Sequence, residues 1–193
     1  MNPSAVRLNI LRLATLLWCL VGMRVQAEAP PKPAPDRFHP FQLPDQFRHA
    51  HVVVFTNAPL QLLTVADQKG ARGMDGWIEA VKTRFGTNLP MIAVADVSTV
   101  PRLLRGFIRG KFVDRYPYPV LLDFTGDTIA AWRPQTGQPN LYLVANDGKV
   151  LGRFVGHATP SNTDPLLSLI ETQSGDPTTK TNAPPNSVRS SKP

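Results

Sequence analysis

The sequence predicts an α/β fold, a central mixed sheet flanked by helices, and three observations carry that prediction. Short β-branched runs alternate with segments of helical period through the middle of the chain. The last two apolar runs flank Asn146-Asp147-Gly148, a strong hairpin signal. The 20 prolines gather towards the two ends, which leaves residues 41–172 as the folded domain.

Taken in order, His51-Val52-Val53-Val54-Phe55-Thr56 reads as a buried central strand. A helix starts at Asp75, places Trp77, Ile78, Val81 and Phe85 on one face, and ends at Gly86. Met91 to Ala95 is a second strand. Ser98 or Thr99 then caps a second helix with Pro101 in its first turn. Its expected apolar stripe is Leu103, Leu104, Phe107, Ile108 and Phe112. Pro119 to Asp123 is a strand followed by a turn at Gly126-Asp127. Leu141–Val144 and Val150–Phe154 form the hairpin, and a last helix from Asp164-Pro165 buries Leu166, Leu167 and Ile170.

Residues 1–27 read as a secretory signal peptide. Arg7 and Arg12 precede an apolar stretch from Leu13 to Met23, and Val25-Gln26-Ala27 has the small residues of a cleavage site. Eleven apolar residues fall short of the roughly 20 needed to span a bilayer, while Arg24 beside the cleavage site leaves an uncleaved anchor as the alternative. The expected location is therefore the periplasm or the exterior. Residues 28–40, with Pro30-Pro31-Lys32-Pro33-Ala34-Pro35, read as a Pro-rich linker, and residues 173–193 as a disordered tail. The net charge of +7 includes Arg7, Arg12 and Arg24 of the leader. The remainder is mildly basic and carries no nucleic-acid motif.

Several motifs resemble a known superfamily. Phe41-Gln42-Leu43-Pro44-Asp45 resembles the entry segment of exported thioredoxin-like reductases of the TlpA/ResA type and of AhpC/TSA-like peroxiredoxin relatives. Pro119 to Asp123, Gly126-Asp127, Gly137-Gln138-Pro139, Asp147 to Val150 and Val155-Gly156 follow the same pattern. The resemblance implies a thioredoxin-like fold in which Pro139 is cis and faces the active site. It also implies that Trp132, Arg133, Gln138 and Pro139 border a groove for an extended partner segment. Counted from Phe55, the superfamily's Cys-x-x-Cys falls on Leu60 and Leu63. The only cysteine of the chain is Cys19, inside the leader, so the mature chain has no thiolate for disulfide exchange or peroxide reduction. Gly106-Phe107-Ile108-Arg109, Tyr116-Pro117, Asp123, Gly126 and Ala131-Trp132 bear a more limited resemblance to the YtfJ-like periplasmic proteins of unknown function.

Three other groups of residues have the types that sites require. His49 and His51 alternate on one strand, with His39 earlier, but no carboxylate is spaced to complete a metal site with them. Arg102, Arg105 and Arg109 recur at helical spacing with Lys111 and Arg115 nearby, a basic surface for anionic lipid or an acidic partner. His157, Ser161 and Asp164 have the residue types of a hydrolase triad without its elbow motif. The sequence therefore favours an exported module without thiol chemistry or cofactor that binds an envelope protein or peptide. The alternatives are a non-thiol enzyme built from His, Asp and Arg groups, and a membrane-surface adaptor using the basic helix.

Overall fold

The computed structural model describes residues 33–175; the predicted leader, the first part of the linker and most of the tail lie outside the described residues. Among the described residues there are seven strands: β1 (Phe41–Pro44), β2 (Ala50–Val53), β3 (Leu60–Ala66), β4 (Met91–Asp96), β5 (Leu121–Asp123), β6 (Asn140–Ala145) and β7 (Val150–Val155). The α-helices of the described residues are α1 (Asp75–Phe85), α2 (Arg105–Arg115), α3 (Asp127–Trp132) and α4 (Pro160–Ser174). The five-stranded sheet has the order β5-β4-β3-β6-β7, parallel across β3, β4 and β5 and antiparallel across β3, β6 and β7. This is the mixed sheet that the sequence predicts.

β3 is the central strand, and every one of its residues is buried. Its sequence, Leu-Gln-Leu-Leu-Thr-Val-Ala, lacks the strict alternation that marks a half-buried strand, and Gln61 and Thr64 break the apolar run expected of a fully buried one. Leu60, Leu62 and Ala66 pack with Trp77 and Val81 of α1 and with Leu166 and Ile170 of α4. Leu63 and Val65 face the other way, towards Phe38, Phe55, Trp132 and Tyr142. The run His51–Thr56 is not the central strand. Its first part forms β2, which pairs only with β1 in a separate two-stranded sheet, and Phe55–Asn57 is a 3-10 turn.

Phe38 is 2% exposed and stands edge-on to Trp132 and Tyr142. Its amide donates to Gly148 O, and Val150 N donates to Asp36 O, so the end of the Pro-rich segment is docked on β7. The Arg37 guanidinium adds an ion pair with Asp147 at 2.9 Å. The linker therefore joins the fold several residues before Phe41.

Helices α2 and α4 depart from expectation at their starts, and α3 occupies what the sequence marks only as a turn at Gly126-Asp127. Ser98 donates its amide and hydroxyl to Asp96 Oδ1 instead of capping a helix. Pro101 is extended, Arg102–Leu104 is a 3-10 turn, and α2 begins at Arg105. Ile108 and Phe112 pack towards Ala93, Ala95, Val120 and Leu122, but Leu103, Leu104 and Phe107 point outward. A 3-10 turn advances three residues per turn, so Leu103 and Leu104 do not continue the face of the helix that follows, and within α2 Phe107 lies off the face that Ile108 and Phe112 turn to the sheet. α4 starts at Pro160, four residues earlier than expected, because proline suits a first helical position that needs no N–H partner.

Candidate functional site

Two regions carry the geometry that bears on function: the loop that feeds α1, and a cleft at the opposite end of β4. The first is built by glycine. Gly70–Gly73 form a 3-10 turn between β3 and α1, and this turn stands against the segment before β6 that contains Pro139. A Cβ at position 70 would run into the carbonyl oxygen of Gln138 and come within 3.1 Å of Pro139 N. One at position 73 would lie 2.8 Å from His157 Nδ1 and 2.9 Å from Pro139 Cγ. Only glycine permits the backbone at position 70 to approach that of Gln138 so closely, whereas the close neighbours of Gly73 are the side chains of His157 and Pro139.

The contact is locked by side chains. Asp67 accepts from Gly70 N at 2.7 Å through one carboxylate oxygen and from Gly137 N at 2.6 Å through the other. Asn140, which is buried, donates to Gln135 O and Gln138 O, each at 2.9 Å, and accepts from Gln135 N at 2.8 Å. Trp77 Nε1 donates to Gly156 O at 2.8 Å.

Three sequence expectations are corrected here. Leu60 and Leu63 lie within β3 as core residues, not in a reactive loop. Phe55 belongs to the 3-10 turn after β2 and not to the end of the central strand, whereas the turn that faces Pro139 is Gly70-Ala71-Arg72-Gly73. The Gln138–Pro139 bond is trans, because no described peptide bond is cis. Trans is the lower-energy form of an X-Pro bond, and Asn140 and Asp67 hold this segment in it. Trp132 is 4% exposed, and Tyr142 Oη donates to its carbonyl at 3.1 Å, so its ring is core and not a groove wall. Pro139 is buried, Gln138 is half-buried and Arg133 is exposed, the last at φ 52 in the left-handed region.

The second region is a cleft of about 520 Å³. It is lined by His51, Val52 and Val53 of β2, Met91, Ile92 and Ala93 of β4, and Lys82 and Tyr118 at its rim, among others. β5 pairs only with Val94 to Asp96, so the outer edge of Met91–Ala93 has no strand partner among the described residues. β2 likewise pairs on one side only. Two open strand edges therefore border one apolar cleft. Gln46 fixes the rim: its buried amide donates to Tyr116 O at 3.0 Å and to Tyr118 O at 2.8 Å, and accepts from Val120 N at 2.8 Å. Nothing in local sequence marks Gln46, because its three partners lie about 70 residues away.

A carboxylate does join His49 and His51. Asp45 Oδ2 lies 2.8 Å from His51 Nε2 and 3.5 Å from His49 Nδ1. Burial opposes ionisation of Asp45, but hydrogen bonds from His51 and the amides of His49 and Phe47, with the His51 charge, hold its carboxyl below the ordinary range. Both imidazoles lie nearest the same Asp45 oxygen, which engages them as an ion-pair partner, and no metal-binding trio is found among the described residues. Arg105 and Arg109 clasp the Phe124 ring at 5.1 and 5.0 Å, and Arg105 also donates to Phe124 O at 2.8 Å. His157 and Ser161 serve loop and helix start: His157 O accepts from Asn162, and Ser161 Oγ bonds Thr159 Oγ1 at 2.9 Å.

No protein-family model matches the chain. No curated protein matches it either. Solved structures do share the fold. A thiol:disulfide interchange protein DsbE from Chlorobium tepidum superposes with a TM-score of 0.54 at 18% identity, over 73% of this chain and 97% of that one. An exposed lipoprotein thioredoxin from Streptococcus pneumoniae gives 0.53 at 11% identity, over 67% and 98%. The peroxidoxin BcpB of Mycobacterium tuberculosis gives 0.51 at 18% identity, over 72% and 96%. The chain has a thioredoxin-like fold whose single cysteine, Cys19, leaves it without the paired cysteines, and glycines 70 and 73 stand in the turn that faces Pro139.

Proposed function

We propose that this chain is a non-catalytic thioredoxin-like module of the cell envelope that holds an extended protein segment in the cleft between β2 and β4. The observation that carries this reading is the pairing of a closed turn with an open cleft. Gly70 and Gly73 press against Gln138 and Pro139 with no thiol between them, while two unpaired strand edges face apolar side chains elsewhere. An extended segment laid between such edges gains main-chain hydrogen bonds without any reacting group. Val52, at 65% exposure on β2, and the Tyr118 ring are available to its side chains. The envelope location is supported by the signal-like leader and by the exposed lipoprotein among the structural neighbours.

The test is selection of displayed peptides on the full chain, followed by binding to Val52→Glu and Tyr118→Ala variants. Both side chains are exposed, so the fold tolerates their loss. Peptides selected on the wild type and lost on these variants support the cleft. Peptides that bind the variants unchanged overturn it. A second reading places the segment beside Arg133 and Gln138, and the left-handed backbone of exposed Arg133 favours it, since such conformations gather at functional sites. Loss of selected peptides on Arg133→Ala alone identifies that site. Trp132→Ala is unsuitable as a probe because it opens the core.

A further inference from the structure

The 3-10 turn Arg102–Leu104 and helix α2 leave apolar and basic side chains together on the surface. Leu103 is 97% exposed, Phe107 63% and Leu104 52%. Between residues 102 and 115 the chain has Arg102, Arg105, Arg109, Lys111 and Arg115 against one acid, Asp114. The fold itself employs Arg105 and Arg109, which clasp Phe124. Arg102 has no side-chain partner among the described residues, and Lys111 only overhangs the Phe107 ring at 5.4 Å. The uncommitted cations thus flank the exposed Leu103 and Phe107.

We propose that this face docks on an anionic lipid surface, with α2 lying along the bilayer and Leu103 and Phe107 entering the headgroup boundary. Charge complementarity selects this occupant. A leaflet with anionic headgroups offers phosphate to Arg102 and Lys111 and, a few ångströms deeper, acyl chain to the two apolar residues. An acidic protein would need a groove for Leu103 ringed by carboxylates, a narrower requirement. The proposal is independent of the β2–β4 cleft, which is built from other elements.

The experiment places an environment-sensitive fluorophore at Leu103→Cys in the full chain, with Cys19→Ser so that one thiol remains. A control label goes at Glu79→Cys, on the exposed side of α1. Because both chains share the same leader, any tether it supplies is common to them. On vesicles containing phosphatidylglycerol at low salt, emission from position 103 shifts to the blue and that from position 79 does not. Phosphatidylcholine vesicles alone leave position 103 in water. Arg102→Gln with Lys111→Gln weakens partitioning onto the anionic vesicles by roughly 30-fold at low salt. The proposal is overturned if position 103 stays in water on anionic vesicles, or if both labels shift alike. It is also overturned if only an acidic protein shields the 103 label.

Discussion

Helices α1 and α2 are each 11 residues long, and they use their apolar residues in opposite ways. α1 buries Trp77 and Val81 completely between the sheet and α4, and its indole N–H reaches Gly156 O. α2 has no fully buried residue, and it presents Phe107 to solvent while Ile108 and Phe112 only lean on β4 and β5. The contrast shows how far position in the sheet decides a helix's role. α1 follows the central strand and is enclosed on both flanks, whereas α2 packs at the edge, where β5 is three residues long.

The largest test of this contrast is a matched pair of aromatic truncations. Trp77→Ala is expected to cost about 3–5 kcal/mol, from lost burial and from the cavity left behind. Phe107→Ala is expected to change stability by no more than about 0.5 kcal/mol, as a surface substitution does. Urea denaturation midpoints of the two variants measure the difference directly. Comparable losses would mean that α2 is packed as α1 is, contrary to the exposure of Phe107.

Glycine sharpens the same comparison with the opposite sign in each region. Gly70→Ala, at the entrance to α1, forces a methyl group against the backbone of Gln138 and should destabilise by about 1–3 kcal/mol. Gly73→Ala should cost less, because one of its two close neighbours is the exposed His157 ring, which can turn away. In α2, a methyl at Gly110 meets open space. Gly110→Ala should therefore stabilise by about 1 kcal/mol, the propensity difference between the two residues in a helix interior. Thermal unfolding of the three variants distinguishes the signs, and a destabilised Gly110→Ala would break the comparison.

What the sequence made legible divides along similar lines. α1, the β6–β7 hairpin and the position of the mixed sheet followed from period and turn chemistry, because Trp77, Ile78, Val81 and Phe85 share one helix face and Asn146-Asp147-Gly148 demands a turn. β3 was missed, since Leu60 to Ala66 is buried on both faces and carries no alternation. That omission shifted the expected reactive turn to Leu60 and Leu63, ten residues ahead of Gly70 and Gly73. The spacing of Gly70, Gly73 and Gly76 is visible in the chain, but what each glycine touches is not. Likewise Gln46 and Asn140 look like ordinary polar residues until folding sets buried backbone groups around them. Local pattern reports an element's period, whereas close approach and buried pairing arise from segments far apart in sequence.

The smallest effect asks whether charge contributes to the enclosure of α1. Arg84 near its C-terminal end pairs with Glu171 of α4, Nη2 to Oε1 at 2.5 Å, with 62% and 39% of the two side chains exposed. Exposed pairs of this kind contribute little, because water screens them and ordering two long side chains offsets the attraction. Arg84→Gln should cost at most about 0.5 kcal/mol, and the cost should disappear at about 1 M salt, where the screening length falls to about 3 Å. Denaturation of both proteins at low and high salt measures it. A loss approaching that of Trp77→Ala, or one insensitive to salt, would mean that α1 is held by its ion pair. The expected result leaves apolar burial as the term that separates α1 from α2.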